Sequence, residues 1–134
     1  MISNHITLEE ATLSHTGLRL GIKNIPSADE LRAMVTVANS CFEPLRNWYN
    51  KPIKINSFFR NAELNKAVGG ATNSQHSKGE AIDMSAGSKE ENKKLFDWCK
   101  ANLVFDQLIN EYDYSWVHIS FRVGNNRNQT LIIK

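Results

Sequence analysis

The sequence is poor in cysteine, has no long apolar run and shows no excess of one charge. Its two cysteines, Cys41 and Cys99, lie on apolar stripes of predicted helices and outside any CxxC or CxxH context. We therefore expect two buried free thiols, although a disulfide between them cannot be judged from sequence. The lack of about 18 consecutive apolar residues excludes a membrane-spanning helix. Because the 16 basic and 14 acidic residues are mixed along the chain, no basic stripe indicates a nucleic-acid partner.

The N-terminal stretch also lacks the features of a secretory signal. Residues 1–15, MISNHITLEEATLSH, have neither a basic start nor an apolar central region. The protein therefore stays in the cytoplasm, leaves by a route that the sequence does not encode, or has lost a signal. Its 134 residues, 41% of them hydrophobic and 22% charged, suit one globular domain over 1–134. We expect this domain to be a monomer.

The periodicity of apolar residues indicates helices first and a sheet later. Ser27 with Glu30 and Ser88 with Glu91 form two capping-box patterns, and Pro44 is expected to kink the first of these helices or to start a new turn. The predicted helices cover residues 26–50, 60–70 and 88–102, and the predicted strands cover 51–59, 80–85, 104–111, 115–123 and 129–134. Residues 1–25 are expected to be an irregular lead-in, and 71–79 a polar loop. The fold class is therefore α+β, with an antiparallel sheet and helices packed on one face.

Two histidines and an aspartate form a candidate metal-ligand set. His76 lies in the polar loop just before the strand that contains Asp83, and Gly79 provides the turn between them. Strand alternation places His118 on the less apolar face of WVHISF, opposite to Val117 and Ile119. Catalytic zinc commonly takes three protein ligands of these types and leaves a fourth position to water. A histidine beside an aspartate is also common as a plain hydrogen-bonded pair, so both interpretations stay open at this point.

A zinc-bound water needs a base to accept its proton, and a polarised carbonyl needs a positive partner. Glu111 is the best base candidate, because it ends the strand that should pair with the His118 strand. Asp113, in the following turn, is the rival. Arg60 follows the first strand and could bind a carboxylate or carbonyl through its guanidinium fork. Each of the three could equally be an ordinary solvated surface residue.

The segment SQHSKGEAID resembles a known signature. It fits the S-x-H-x-x-G-x-A-x-D pattern of the zinc D-Ala-D-Ala peptidases, the M15 peptidase family, through Ser74, His76, Gly79, Ala81 and Asp83. The segments PLRNWYNKPIKINSFFR, LNKAVGGATNSQH and WVHISF also look like the small M15 branch of bacteria and their phages. FDQLINEYDYSWVHIS resembles the matching part of hedgehog signalling domains, which share the fold.

The resemblance implies a set of roles. His76, Asp83 and His118 would bind one zinc ion, and Arg60 would orient the substrate. Glu111 matches a glutamate that lies over the metal in hedgehog domains. Ser74 and Gln75 would support either the loop or the substrate.

The implied activity is hydrolysis of peptidoglycan stem peptides, either as a carboxypeptidase or as an endopeptidase of the endolysin type. The substrate would then lie in the cell wall, as expected for a phage or prophage lysis enzyme. The alternative is a zinc-containing binding module of the same fold without catalysis, as hedgehog domains illustrate. A metal-free structural domain is a third hypothesis.

Two positions depart from the family pattern. Some M15 enzymes carry an acidic base three residues before the last histidine, where this chain has Ser115. The residue after Ser57 is Phe58, where relatives often have glycine. We expect the phenylalanine to narrow or reshape the substrate groove.

Overall fold

A five-stranded sheet forms the centre of the computed structural model, which describes residues 1–134. Its order is β1-β2-β4-β3-β5, with β1 and β5 at the two edges. The strands are β1 Lys54–Ser57, β2 Ala81–Ser85, β3 Gln107–Glu111, β4 Trp116–Ser120 and β5 Gln129–Ile133. The helices are α1 Leu8–Thr12, α2 His15–Leu20, α3 Ala28–Val37, α4 Glu43–Tyr49, α5 Ala62–Ala67 and α6 Lys89–Asn102. The predicted α+β class is confirmed.

The expectation of a wholly antiparallel sheet is wrong for one pair of strands. Three pairs are antiparallel, but β3 and β5 run parallel, with Gln107 beside Gln129 and Glu111 beside Ile133. The β3–β4 hairpin reverses the chain, and residues 121–128 then carry it past β3 to the free side of that strand. β4 ends beside the start of β3, and β5 begins at that same end of the sheet. β5 therefore runs opposite to β4 and in the same direction as β3.

One face of the sheet carries the core. Ile82, Met84, Val117 and Ile119 alternate with polar residues along β2 and β4 and are 0% exposed. They join buried side chains of the helices, among which are Met34, Phe42, Leu45, Leu95 and Phe96. Because side chains alternate along a strand, Asp83 and His118 are turned to the opposite face.

The N-terminal 25 residues are more ordered than expected. They contain α1 and α2, which are capped by Thr7 and Ser14. The backbone N–H of Phe59 donates to the carbonyl of Ala11 at 3.0 Å. Helices of five and six residues give too little periodicity for a sequence pattern to reveal them, and contact with the chain beyond β1 keeps them in place.

Pro44 is accommodated without a break. A single π-helical turn, Ala38–Phe42, joins α3 to α4, and the N–H of Glu43 reaches back to the carbonyl of Ala38. Proline lacks the N–H that an α-helix would use at this point, and a π-turn places the ring where the helix can continue. None of the helices has the length and apolar character needed to cross a membrane.

The two cysteines are confirmed as buried free thiols. Burial raises the pKa of Cys41 to about 12. A thiol with so high a pKa is neutral at physiological pH and packs as a small apolar group.

Candidate metal centre

His76, Asp83 and His118 converge on the polar face of the sheet. The β2–β4 register places Asp83 directly opposite His118, and a short 3-10 helix, Gln75–Lys78, brings His76 over them. One carboxylate oxygen of Asp83 lies 3.1 Å from Nε2 of His76, and the other lies 2.9 Å from Nδ1 of His118. His76 is 3% exposed and Asp83 is 8% exposed. The three potential ligand atoms all lie within 4.8 Å of one another.

The local chain fixes the orientation of the His76 ring. Nδ1 of His76 lies 2.8 Å from the carbonyl oxygen of Phe58, to which it donates in the tautomer that leaves Nε2 unprotonated. Ser74 caps the 3-10 helix by accepting from the backbone N–H of His76 at 3.1 Å. Gly79 then ends the turn in the left-handed region, with φ of 76°. Nε2 is thereby directed toward Asp83, to which it donates when it carries a proton, and its lone pair is available to a metal when it does not.

The donor set fits a zinc ion. Two imidazole nitrogens and one carboxylate oxygen are one of the three-donor sets found in catalytic zinc sites. Ligand atoms at about 2.0–2.1 Å from a tetrahedral zinc lie roughly 3.3 Å apart, close to the two contacts that Asp83 makes here. The second nitrogen of His76 is occupied by a backbone carbonyl, which is the usual outer partner of a metal-bound histidine.

The electrostatics of Asp83 favour its charged form. Burial by itself would raise the pKa of the carboxyl group, but hydrogen bonds from His118 and His76 outweigh burial and hold the pKa well below its ordinary value. The carboxylate is therefore available as a ligand across the physiological pH range.

Arg60 lies beside this cluster. Its backbone N–H donates to the carbonyl of His76 at 3.3 Å, which ties the end of the β1 segment to the metal loop. The Nε atom of its guanidinium is buried and has no hydrogen-bond partner. Burial lowers the pKa of Arg60, while the charges of Asp83 and Glu111 oppose that effect. Because the guanidinium of Arg60 forms no salt bridge within the chain, its other N–H groups could bind an incoming carboxylate or carbonyl oxygen.

Glu111 lies at the end of β3, next to the β4 strand that carries His118. Its Oε2 accepts a hydrogen bond of 3.1 Å from the indole N–H of Trp116, which is its cross-strand partner. Burial raises the pKa of Glu111, and the negative charge of Asp83 raises it further, whereas His118 opposes the shift. A carboxyl group with a raised pKa near a metal-ligand cluster is a candidate acid–base residue.

Trp116 is a site residue that sequence reasoning missed. Its indole N–H fixes one oxygen of Glu111 and leaves the other oxygen free. The signal was present in the strand pattern, because Trp116 and His118 lie on one face of β4 and Glu111 ends the paired strand. The bond depends, however, on the register of β3 against β4, which the sequence does not state.

Asp113, the alternative candidate for the general base, lies in the exposed β3–β4 turn. Asp113 has φ of 55° in the β3–β4 turn, pairs with Lys89 at 3.1 Å, and has a side chain that is 80% exposed. Ser115 is in the same turn and donates from its hydroxyl to the carbonyl of Tyr112 at 2.7 Å. In this turn Asp113 is paired with Lys89 and Ser115 is bonded to Tyr112. Glu111, by contrast, is close enough to Asp83 for its pKa to be raised further by that charge.

The remaining predicted residues support the loop. The side chain of Ser74 caps the 3-10 helix, and Nε2 of Gln75 donates to Glu80 at 3.3 Å. The ring of Phe58 does not narrow the groove directly, while a reshaping of the groove by this residue stays a prediction. Its ring is 1% exposed and belongs to the core, so that only its carbonyl reaches the site, as the partner of His76.

Comparison with known proteins agrees with this geometry. Over 40 residues, which are 30% of this chain, the sequence is 50% identical to the zinc D-Ala-D-Ala carboxypeptidase of Streptomyces albus G. That match covers 16% of the relative, so this chain corresponds to a small part of it. A family model described as Peptidase M15 matches residues 4–120, which include the whole candidate metal centre. The chain therefore belongs to the Peptidase M15 family, a family of metallopeptidases.

Proposed function

We propose that residues 1–134 form a single zinc peptidase domain that hydrolyses peptidoglycan stem peptides. The observation that carries the proposal is the arrangement of two side chains around one ligand cluster. Arg60 donates its backbone N–H to the carbonyl of His76, and Glu111 ends the strand beside His118. Burial lowers the pKa of Arg60 and raises that of Glu111, while the charge of Asp83 acts to raise both. Asp83 also contacts His76 and His118. Family membership supports a peptidase, and the name of the Streptomyces relative supports zinc and a D-alanyl peptide.

His76, Asp83 and His118 would hold the zinc ion. When bound, zinc supplies a Lewis acid that polarises the scissile carbonyl and activates a water molecule. Glu111 accepts the proton of the attacking water at its free carboxylate oxygen, since the other oxygen is held by Trp116. Its raised pKa suits it to pass that proton on to the leaving amine. Arg60 orients the substrate through its unpartnered guanidinium, while Ser74 and Gln75 keep the loop of His76 in place.

Two measurements test the proposal in sequence. Elemental analysis of the purified protein should find one zinc per chain, and His76→Ala should lose it. Incubation with purified muropeptides should then give cleavage products whose masses distinguish a carboxypeptidase, which releases a terminal residue, from an endopeptidase. A protein with zinc but no cleavage of any wall peptide would instead be a non-catalytic binding module of the same fold.

A variant of Glu111 tests the mechanism. Glu111→Gln should retain zinc and lower kcat by about 10²- to 10⁴-fold, the usual loss for a general base. Asp113→Asn is the matched control, because Asp113 is a carboxylate two positions away that pairs with Lys89. It should leave kcat unchanged. Full activity of Glu111→Gln would show that the base has been misassigned.

A further inference from the structure

A cleft of about 540 Å³ lies beside the candidate metal centre. It is lined by β1, from Lys54 to Ser57, and by Arg60. The other lining residues are Glu10, residues 13–16, where α1 meets α2, and Val68. Of the residues used in the reaction proposed above, only Arg60 lines this cleft, and neither the metal ligands nor Glu111 do so.

The strand β1 has a free backbone edge. β1 is the terminal strand of the sheet and pairs with β2 alone. Outside that ladder, no backbone N–H or carbonyl of residues 54–57 forms a hydrogen bond with another part of the chain. An edge strand with unpaired backbone groups is the usual template on which an extended peptide adds as a further strand.

The cleft meets the metal centre at Ser57, which is one of its lining residues. The register of β1 against β2 places Ser57 beside the metal ligand Asp83, and Lys54 lies three residues farther along the strand. At about 3.3 Å per residue, the distance from Ser57 to Lys54 is roughly 10 Å. An extended peptide on the free edge of β1, with its scissile bond level with Ser57 and Asp83, would therefore present its third residue from that bond level with Lys54.

The charges in the cleft favour an acidic peptide. Lys54 is exposed, and neither it nor Arg60 forms a salt bridge in the structure. The one carboxylate that lines the cleft belongs to Glu10, and its Oε1 accepts from the backbone N–H of Thr7 in a capping box. Lys54 and Arg60 are thus two cations without salt-bridge partners, three positions before and three positions after Ser57 along the chain.

We infer that this cleft binds an extended peptide that pairs with the free edge of β1, and that Lys54 binds a carboxylate about three residues from the bond at the metal centre. The inference rests on the proposed function for its register and adds the substrate class: a peptide with a free carboxylate at that distance. The cleft provides backbone pairing for affinity, and Lys54 provides the selectivity for charge.

Binding is tested on the zinc-loaded Glu111→Gln protein, which should hold a peptide without cleaving it. The probes are two synthetic stem peptides that differ only in whether the carboxylate three residues from the scissile bond is free or amidated. Addition of the free peptide should slow backbone amide hydrogen exchange within residues 54–57. Protection that maps to another surface, or no binding of either peptide, would overturn the inference. Binding without cleavage by the parent protein would instead overturn only the peptidase activity.

The role of Lys54 is tested by its substitution. The parent should prefer the free peptide, and Lys54→Gln should reduce that preference by about three- to fivefold, as expected for one exposed ion pair. The loss should fall on KM, or on Kd in the Glu111→Gln background, with kcat unchanged. Lys100→Gln, an exposed lysine of α6, is the matched control and should keep the parental preference. An unchanged preference in Lys54→Gln would refute the charge selectivity.

Discussion

Gly79 matters both for the packing of the fold and for the candidate metal centre, because the chain has no room for a Cβ atom at this position. It ends the 3-10 helix that carries His76, with φ of 76°. A Cβ at this position would lie 2.5 Å from the carbonyl oxygen of Glu30 and 2.9 Å from Cγ of Met34, both in α3. Gly79→Ala therefore introduces two distinct costs, a left-handed backbone for a residue with a side chain and a collision with the backbone of a helix.

A second glycine separates the two costs. Gly69 has φ of 75°, and a Cβ there would meet nothing within 4 Å. Gly69→Ala should therefore lower the free energy of unfolding by the backbone term alone, about 1–2 kcal/mol. Gly79→Ala should lower the free energy of unfolding by this backbone contribution and by a further ~1–3 kcal/mol, the usual cost of overpacking a dense interior. The further loss arises because the loop that carries His76 must move away from α3.

The assay is urea denaturation of the parent and both variants, with zinc binding measured in parallel. Gly79→Ala should unfold at a lower urea concentration than Gly69→Ala, with a similar slope, since both variants expose the same surface. Because the displaced loop carries His76, zinc affinity should fall by about tenfold or more in Gly79→Ala and stay parental in Gly69→Ala. Equal stability losses and equal zinc affinities in the two variants would refute the claim that Gly79 is needed for close approach.

Three further predictions concern groups outside the metal ligands. Trp116→Phe removes the indole N–H that holds Glu111, so we expect kcat to fall by about tenfold. Loss of that bond also raises the pKa of Glu111, so the acid limb of the kcat/KM profile should move to higher pH, and an unmoved limb would argue against this role. Asp106 has a fully buried side chain that accepts from Arg122 and from two nitrogens of Arg127. Asp106→Asn should lower the free energy of unfolding by about 2–3 kcal/mol, less than for a wholly buried pair because both arginines are partly exposed; a loss below about 1 kcal/mol in urea denaturation would contradict this. Burial would raise the pKa of Glu43, but hydrogen bonds from His5 and Ser3 outweigh it and lower the pKa below the ordinary 4.5. A carboxylate whose pKa is lowered in the folded state stabilises the protein above pH 4.5. This stabilisation is lost as the pH falls through the pKa of the folded state. The stability difference between the parent and Glu43→Gln should therefore shrink below pH 4.5, and a constant difference between pH 6 and 3 would disprove the assignment.

Local patterns were read correctly from sequence where neighbours along the chain decide the structure. Ser27 and Glu30 form the predicted reciprocal capping box. Ser88 caps α6 by accepting from the N–H of Glu91, but the reciprocal half of that box is absent. The carboxylate of Glu91 instead accepts from Tyr49 at 2.6 Å and pairs with Lys94. The Glu91 side chain is therefore held by Tyr49, 42 residues away in the sequence. No pattern of neighbouring residues could have predicted this contact.

At the candidate site, too, local patterns predicted some features and long-range contacts decided others. Strand alternation and the loop signature pointed to His76, Asp83 and His118, and the structure brings these three together. The choice between Glu111 and Asp113 needed the three consecutive left-handed residues of the β3–β4 turn, which leave Asp113 exposed beside Lys89. Their functional roles remain predictions for the variants described above.

By itself, the sequence determined which residues of β2 and β4 face the core, where α3 and α6 begin, and which side chains could bind a metal, because these follow from spacing along a helix or strand. The tertiary structure alone decided the parallel pairing of β5, the hydrogen bond from Trp116 to Glu111 and the free edge of β1 beside Arg60. Each of these depends on which strands are neighbours and in what register, and that is fixed by the packing of the whole chain around one core.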